Sequence, residues 1–175
     1  MLRKPRIEDV DDLLVYIEDP EVMRWIGTGV AGDRDAAVAS VERWLGLWDS
    51  NGIGHFVVVL DDRVIGRVGF LVWDRSQWAV STYDAAGQNA VTELGWTIAR
   101  PYWGRGYAPE AATALRRWAY EERGVDTLIS LIDPENTRSQ RVAEKLGAVP
   151  GDLVEVLGTP AIVWRHPAGG HAPAR

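Results

Sequence analysis

The stretch ARPYWGRGYAPEAATALRRW, residues 99–118, limits what this chain can fold into more than any other. A β-rich run, TELGWTIA, leads into it, and an apolar stripe of Ala111, Ala112, Leu115, Trp118 and Ala119 at helical spacing follows. A strand must therefore pass into a helix across Trp103-Gly104-Arg105-Gly106. Pro109 suits the first helical turn, where a missing N–H costs nothing, and Gly124 suits the far cap. The first amides of such a helix have no intrahelical acceptor and, with the helix dipole, form a site for an anion. Gly104 and Gly106 keep Cβ atoms out of the way, and Arg105 is the one charged residue in the turn. A glycine-rich turn that only packs strand on helix would read the same way, so both readings stand on the glycines alone.

Two phosphate motifs do not fit. A dinucleotide fingerprint needs a third glycine where Pro109 stands, and a P-loop needs Gly-Lys-Ser/Thr. The rest of the chain suits one domain over residues 1–165, with 166–175 expected as a flexible tail. Apolar residues Ile7, Val10, Leu13, Leu14 and Ile17 predict a helix that Pro20 ends. Asp33 predicts the N-cap of a helix to about Ser50, with Val38, Val41, Leu45 and Trp48 facing inward. HFVVVL and VIGRVGFLVW read as a hairpin, residues 74–92 as a loop, and DTLISLI as a strand. A short helix with Val142 and Leu146 inward and a final hairpin complete the order. The class is mixed α+β: a mostly antiparallel sheet with one βαβ unit and helices on both faces.

Composition removes several functions. A net charge of −6 argues against nucleic acid as partner. The chain has no cysteine, which excludes disulfides, thiolate nucleophiles and Cys-type zinc sites, and its three histidines are too scattered for a metal site. No apolar run is long enough to span a membrane, and the start lacks the apolar region of a signal peptide, so a cytoplasmic location is expected. Nine tryptophans either fill the core or wall a cleft.

ELGWTIARPYWGRGYAPEA together with NTRSQRVAEKLGA resembles the GNAT superfamily of acetyl-CoA-dependent N-acetyltransferases, and within it the ribosomal-protein-alanine acetyltransferase-like branch. The family's phosphate motif falls on Trp103 to Ala108, with Trp103 in place of the usual Gln or Arg. The resemblance implies a GNAT-like fold with acetyl-CoA as co-substrate. The amides of Gly104, Arg105, Gly106, Tyr107 and Ala108 would hold the pyrophosphate, and the edge of Trp96, Thr97 and Ile98 the pantetheine arm. One amide of that edge would receive the developing oxyanion. Asn136 would contact the cofactor arm, or serve as a helix N-cap, or both. Arg138, Arg141 and Lys145 would either meet the 3′-phosphate or form a solvated helix face.

The implied reaction is direct acetyl transfer to a primary amine: a protein N-terminus, a polyamine, an amino acid or an aminoglycoside-like compound. Glu93 is the candidate base. It lies roughly 10 Å along the strand from Trp96, so a water would relay the proton. The tyrosine acid common in the superfamily is replaced by Ala143, which leaves Ser139 as substitute, with a cap contact as its other reading. Trp25, Trp73, Trp78 and Tyr83 would line the acceptor pocket, unless they are core or dimer contacts. His55 reads as a strand-start residue. The resemblance also raises a homodimer. A non-catalytic acyl-CoA-binding or sensing domain is the alternative, since it would share the cofactor site and need no base.

Overall fold

Why the chain makes one sheet follows from its strands, most of which carry apolar residues on both faces. The computed structural model describes residues 1–167. The strands are β1 (Leu2–Arg3), β2 (His55–Leu60), β3 (Arg63–Asp74), β4 (Ala79–Val80), β5 (Ala90–Ile98), β6 (Leu128–Ile132), β7 (Val149–Val156) and β8 (Thr159–Arg165). They form one sheet in the order β1-β2-β3-β5-β6-β8-β7, with β4 added to the end of β3. Every pairing is antiparallel except β5 with β6. The β2–β3 turn is Asp61-Asp62, both at positive φ, which matches the twist of a tight hairpin.

Helices α1 (Val10–Ile17), α2 (Pro20–Met23) and α3 (Arg34–Asn51) lie on one face. On the other lie α5 (Tyr107–Arg123) and α6 (Thr137–Lys145); a short α4 (Tyr83–Ala86) precedes β5. Under α5, Val68, Phe70, Val72, Leu94, Leu115 and Leu128 are sealed from water. Phe70 and Leu94 face each other across β3 and β5, and each such side chain contributes about 1.5–3 kcal/mol of burial. Trp48, Phe56, Trp118 and Phe70 continue this core as a chain of ring contacts.

Several expectations are corrected. The first helix begins at Val10, because Ile7–Asp9 is a 3-10 turn in which buried Asp9 accepts from Arg3 and from the Arg6 amide. Ile7 is therefore exposed. Of the expected inward face of α3, Val41 is buried and Val38 and Trp48 are half-buried, while Leu45 is exposed. Ala37, Val41, Trp44 and Leu47 are buried and Leu45 is outside, because the large Trp44 ring takes the inward place against His55. The loop expected over 74–92 holds β4, α4 and the start of β5; Thr82 caps α4 by accepting from the Ala85 amide. Residues 166 and 167, expected in the tail, are held against the fold. His166 is buried and its amide bonds to Leu128, and the Pro167 carbonyl accepts from Tyr120; residues 168–175 lie outside the described residues.

Candidate active site

The site grows from a defect in the sheet. The parallel ladder of β5 and β6 covers only Thr92–Leu128 and Glu93–Ile129, although β5 runs to Ile98 and β6 to Ile132. Beyond Glu93 the two strands part. Ser130 marks the point of separation: its hydroxyl donates to the Leu94 carbonyl at 2.6 Å and meets His166 Nε2 at 2.9 Å. Since Leu94 turns its carbonyl toward β6, the two-residue period turns the Trp96 N–H and C=O into the same gap. The Ile98 carbonyl is already taken by the Trp103 indole N–H at 2.6 Å. The gap is thus an unpaired strand edge centred on the Trp96 peptide, while the Trp96 ring packs toward Ile132, Ala143 and Trp164.

The glycine turn opens at the end of this gap. A 3-10 turn, Arg100–Tyr102, leads to Gly104 at φ +74° and Gly106 at φ +87°, and Gly106 is the N-cap of α5. Positive φ favours glycine at both places, and a Cβ there would meet no protein atom within 4 Å. The glycines therefore serve the backbone turn, and the space in front of them is open. No side chain caps α5, and among the described residues no protein acceptor is bonded to the amides of residues 104–108. The N-terminus of α6 lies alongside, with the Arg138 guanidinium 4.3 Å from the Trp103 ring centre. Asn136 accepts from the Ser139 amide at 3.1 Å, so its capping reading holds. Arg141 and Lys145 are exposed.

Glu93 sits on the opposite face of β5 from Leu94 and Trp96. The Trp73 indole N–H donates to its Oε2 at 2.6 Å. Burial pushes its carboxyl above the usual range, against the opposing pull of that bond and of Arg67. Trp73 is thus buried and orients Glu93. The other expected pocket residues are not gathered there. Tyr83 bonds Thr92, on the α5 face, beside a crevice of about 360 Å³ also lined by Asn51, Arg123 and Asp126. Trp25 follows α2 and lies under its neighbour Arg24. Trp78 packs near Trp73.

The structure adds residues the motifs did not flag. Arg67, His55, Tyr16 and Thr97 surround the same face as Glu93, with Arg67 Nη1 3.3 Å from His55 Nδ1. Burial and the nearby Arg67 and Arg43 keep His55 neutral well below its ordinary range, so it accepts at Nδ1. An arginine inside the apolar run VIGRVGFLVW and a serine inside LISLI were the available signals.

The family description "Acetyltransferase (GNAT) domain" matches residues 1–149. The chain belongs to the GNAT acetyltransferase family. It is an acetyl-CoA-dependent acetyltransferase. It is 49% identical over 163 residues to the protein YkkB of Bacillus subtilis, covering 90% of this chain and 87% of that one. Among solved structures it resembles an acetyltransferase from Agrobacterium tumefaciens, with 27% identity, a TM-score of 0.74, and 95% and 89% of the two chains covered. The aminoglycoside acetyltransferase AAC(6')-Ib, solved with coenzyme A and kanamycin, shares the fold at 15% identity, with a TM-score of 0.74 over 95% and 93% of the chains. These matches fit the mixed, mostly antiparallel sheet expected from the sequence. No helix among the described residues is long and apolar enough to cross a membrane, and no group of metal-ligating side chains is found among them.

Proposed function

We propose that the protein moves the acetyl group of acetyl-CoA directly to a primary amine. The observation that carries this reading is the continuity of the open edge. The amides of residues 104–108 and the strand edge at Trp96, both without a bonded protein partner among the described residues, adjoin each other, with Glu93 on the other face of the same strand. The pyrophosphate would accept from the amides of Gly104 to Ala108, favoured by the α5 dipole. The pantetheine arm would lie along Trp96 to Ile98 like an added strand.

The chemistry needs little else. Glu93, through a water, takes a proton from the ammonium. The amine nitrogen attacks the thioester carbonyl carbon, and the oxyanion is held by the Trp96 N–H. The C–S bond then breaks as the extra proton on the attacking nitrogen passes to the leaving thiolate through a water positioned by Ser139, whose half-buried hydroxyl has no protein partner among the described residues. The products are the N-acetyl amine, free CoA and one proton. No enzyme nucleophile is required, and the chain has no cysteine. A cytoplasmic location, where acetyl-CoA is abundant, suits this reading.

Thermal unfolding with acetyl-CoA, with NADH as control, followed by thiol release over an amine panel, tests it. At 100 times the dissociation constant the ligand adds about 2.7 kcal/mol, a midpoint rise of about 5–10 °C. A rise with acetyl-CoA alone and turnover with an amine are expected. No rise, or a rise with NADH, overturns the reading.

A further inference from the structure

The face of the sheet that carries Glu93 holds a cleft whose residues the motifs do not explain. Two apolar clusters occupy this face, one under α1 and α3 and one around Trp73, and Leu71 touches both. Between them Arg67, Leu71, Glu93 and Gly95 remain half-buried, while Tyr16, His55, Trp73 and Thr97 around them are buried. Gly95 pairs with Gly69 across β3 and β5; the Gly54–His55 backbone closes over Gly69, but the place in front of Gly95 carries no side chain. A Cβ on Gly95 would stand 3.7 Å from Glu93 Oε1 and 4.0 Å from Arg67 Nη1. The carboxylate and the guanidinium thus flank the same empty position without forming an ion pair.

Arg67 is short of acceptors. A guanidinium carries five N–H donors. Its one hydrogen-bond partner among the described residues is the neutral Nδ1 of His55, and the Trp44 ring lies 5.7 Å away. Arg43 adds positive charge nearby rather than relieving it. The Tyr16 hydroxyl and the Thr97 Oγ1, both more than nine-tenths buried on the same side, also lack any partner. The two buried hydroxyls are costly without partners, and the half-buried guanidinium beside them keeps donors directed at the opening, so an anionic, hydrogen-bonding group suits the place.

We propose that this cleft binds the carboxylate of the acceptor, which makes the substrate class α-amino acids. The inference rests on the acetyl-transfer reading above. Arg67 receives the carboxylate through charge-assisted bonds. The amine lies over Gly95, facing Glu93, and the missing side chain leaves a path from the cleft to the strand edge at Trp96. Polycationic amines are disfavoured, because a second ammonium would meet Arg67 with no anion to match it.

The test compares α-amino acids, their carboxamides and kanamycin as acceptors, by thiol release, in wild type, Arg67→Gln and Gly95→Ala. Wild type should favour the carboxylate over its carboxamide by about tenfold or more in kcat/KM, the size expected for one charge-assisted contact. Arg67→Gln should abolish that preference. Gly95→Ala adds a methyl at ordinary contact distances in a strand, so it should fold and keep the acetyl-CoA midpoint rise while its KM for the amino acid climbs. This second variant decides the matter if Arg67→Gln does not fold. Equal or better turnover of carboxamides or kanamycin by wild type, or an unchanged KM in Gly95→Ala, overturns the proposal. So does acetyl-CoA binding with no α-amino acid turned over. A missing acetyl-CoA midpoint rise in wild type sinks the underlying reading instead.

Discussion

Replacing Ser130 by Ala should loosen the sheet where β5 and β6 part. The hydroxyl donates to the Leu94 carbonyl at 2.6 Å, so His166 Nε2, at 2.9 Å, must donate to the hydroxyl oxygen. The variant removes both bonds and keeps almost all of the volume. It leaves a carbonyl and an imidazole N–H unpaired beside a residue that is 2% exposed. Each orphaned buried group costs about 1–3 kcal/mol, and partial relaxation puts the sum near 2–4 kcal/mol. For a chain of this length that lowers the unfolding midpoint by about 4–16 °C. Calorimetry reads the midpoint, and hydrogen exchange reads the place: protection should fall in residues 94–98 and 128–132 before it falls in α3. A midpoint within about 1 °C of wild type would refute the assignment of Ser130 as the pin between the strands.

Glu93→Gln should lower kcat/KM at least tenfold, toward the 10²–10⁴-fold typical of a lost general base, and leave acetyl-CoA binding unchanged. In wild type the rate should fall on the acid side at a pH above the ordinary carboxylate value, because burial raises the Glu93 pKa, and the variant should lack that limb. An equal rate across several acceptors removes Glu93 from the mechanism. Stability should also decline in acid through His166. Burial and Arg116 lower its folded pKa to about 4, while the unfolded imidazole titrates near 6.5. The unfolded chain therefore binds more protons between these values. Stability is full above about pH 6.5 and falls as pH drops toward about 4, by up to about 3 kcal/mol, with His55 adding to the same trend. Denaturation curves across this range should be flatter for His166→Gln; equal slopes would show that His166 does not titrate this way.

Much of the frame was legible because it is local. The turn glycines, the caps of α3 and α5, and the two hairpins follow from residues within a few positions of one another. What was not legible depends on contacts between distant segments. Trp44 outcompetes its neighbours for the inward face of α3 only because His55 and Arg67 lie beneath it. Trp73 read equally as a pocket wall or a core residue, and its bond to Glu93 on the neighbouring strand had no local signal. His166 looked like the start of a tail until Ser130, on another strand, gave its ring a partner. The gap itself has no sequence motif, since it is a difference in length between a ladder and its strands.

A crystal structure of the protein with coenzyme A tests the central claim most directly. The account predicts pyrophosphate oxygens within about 3.2 Å of the amides of residues 104–108 and the pantetheine arm hydrogen-bonded to the Trp96 peptide, in the gap between β5 and β6. Coenzyme A bound elsewhere, with that gap closed or empty, would contradict it.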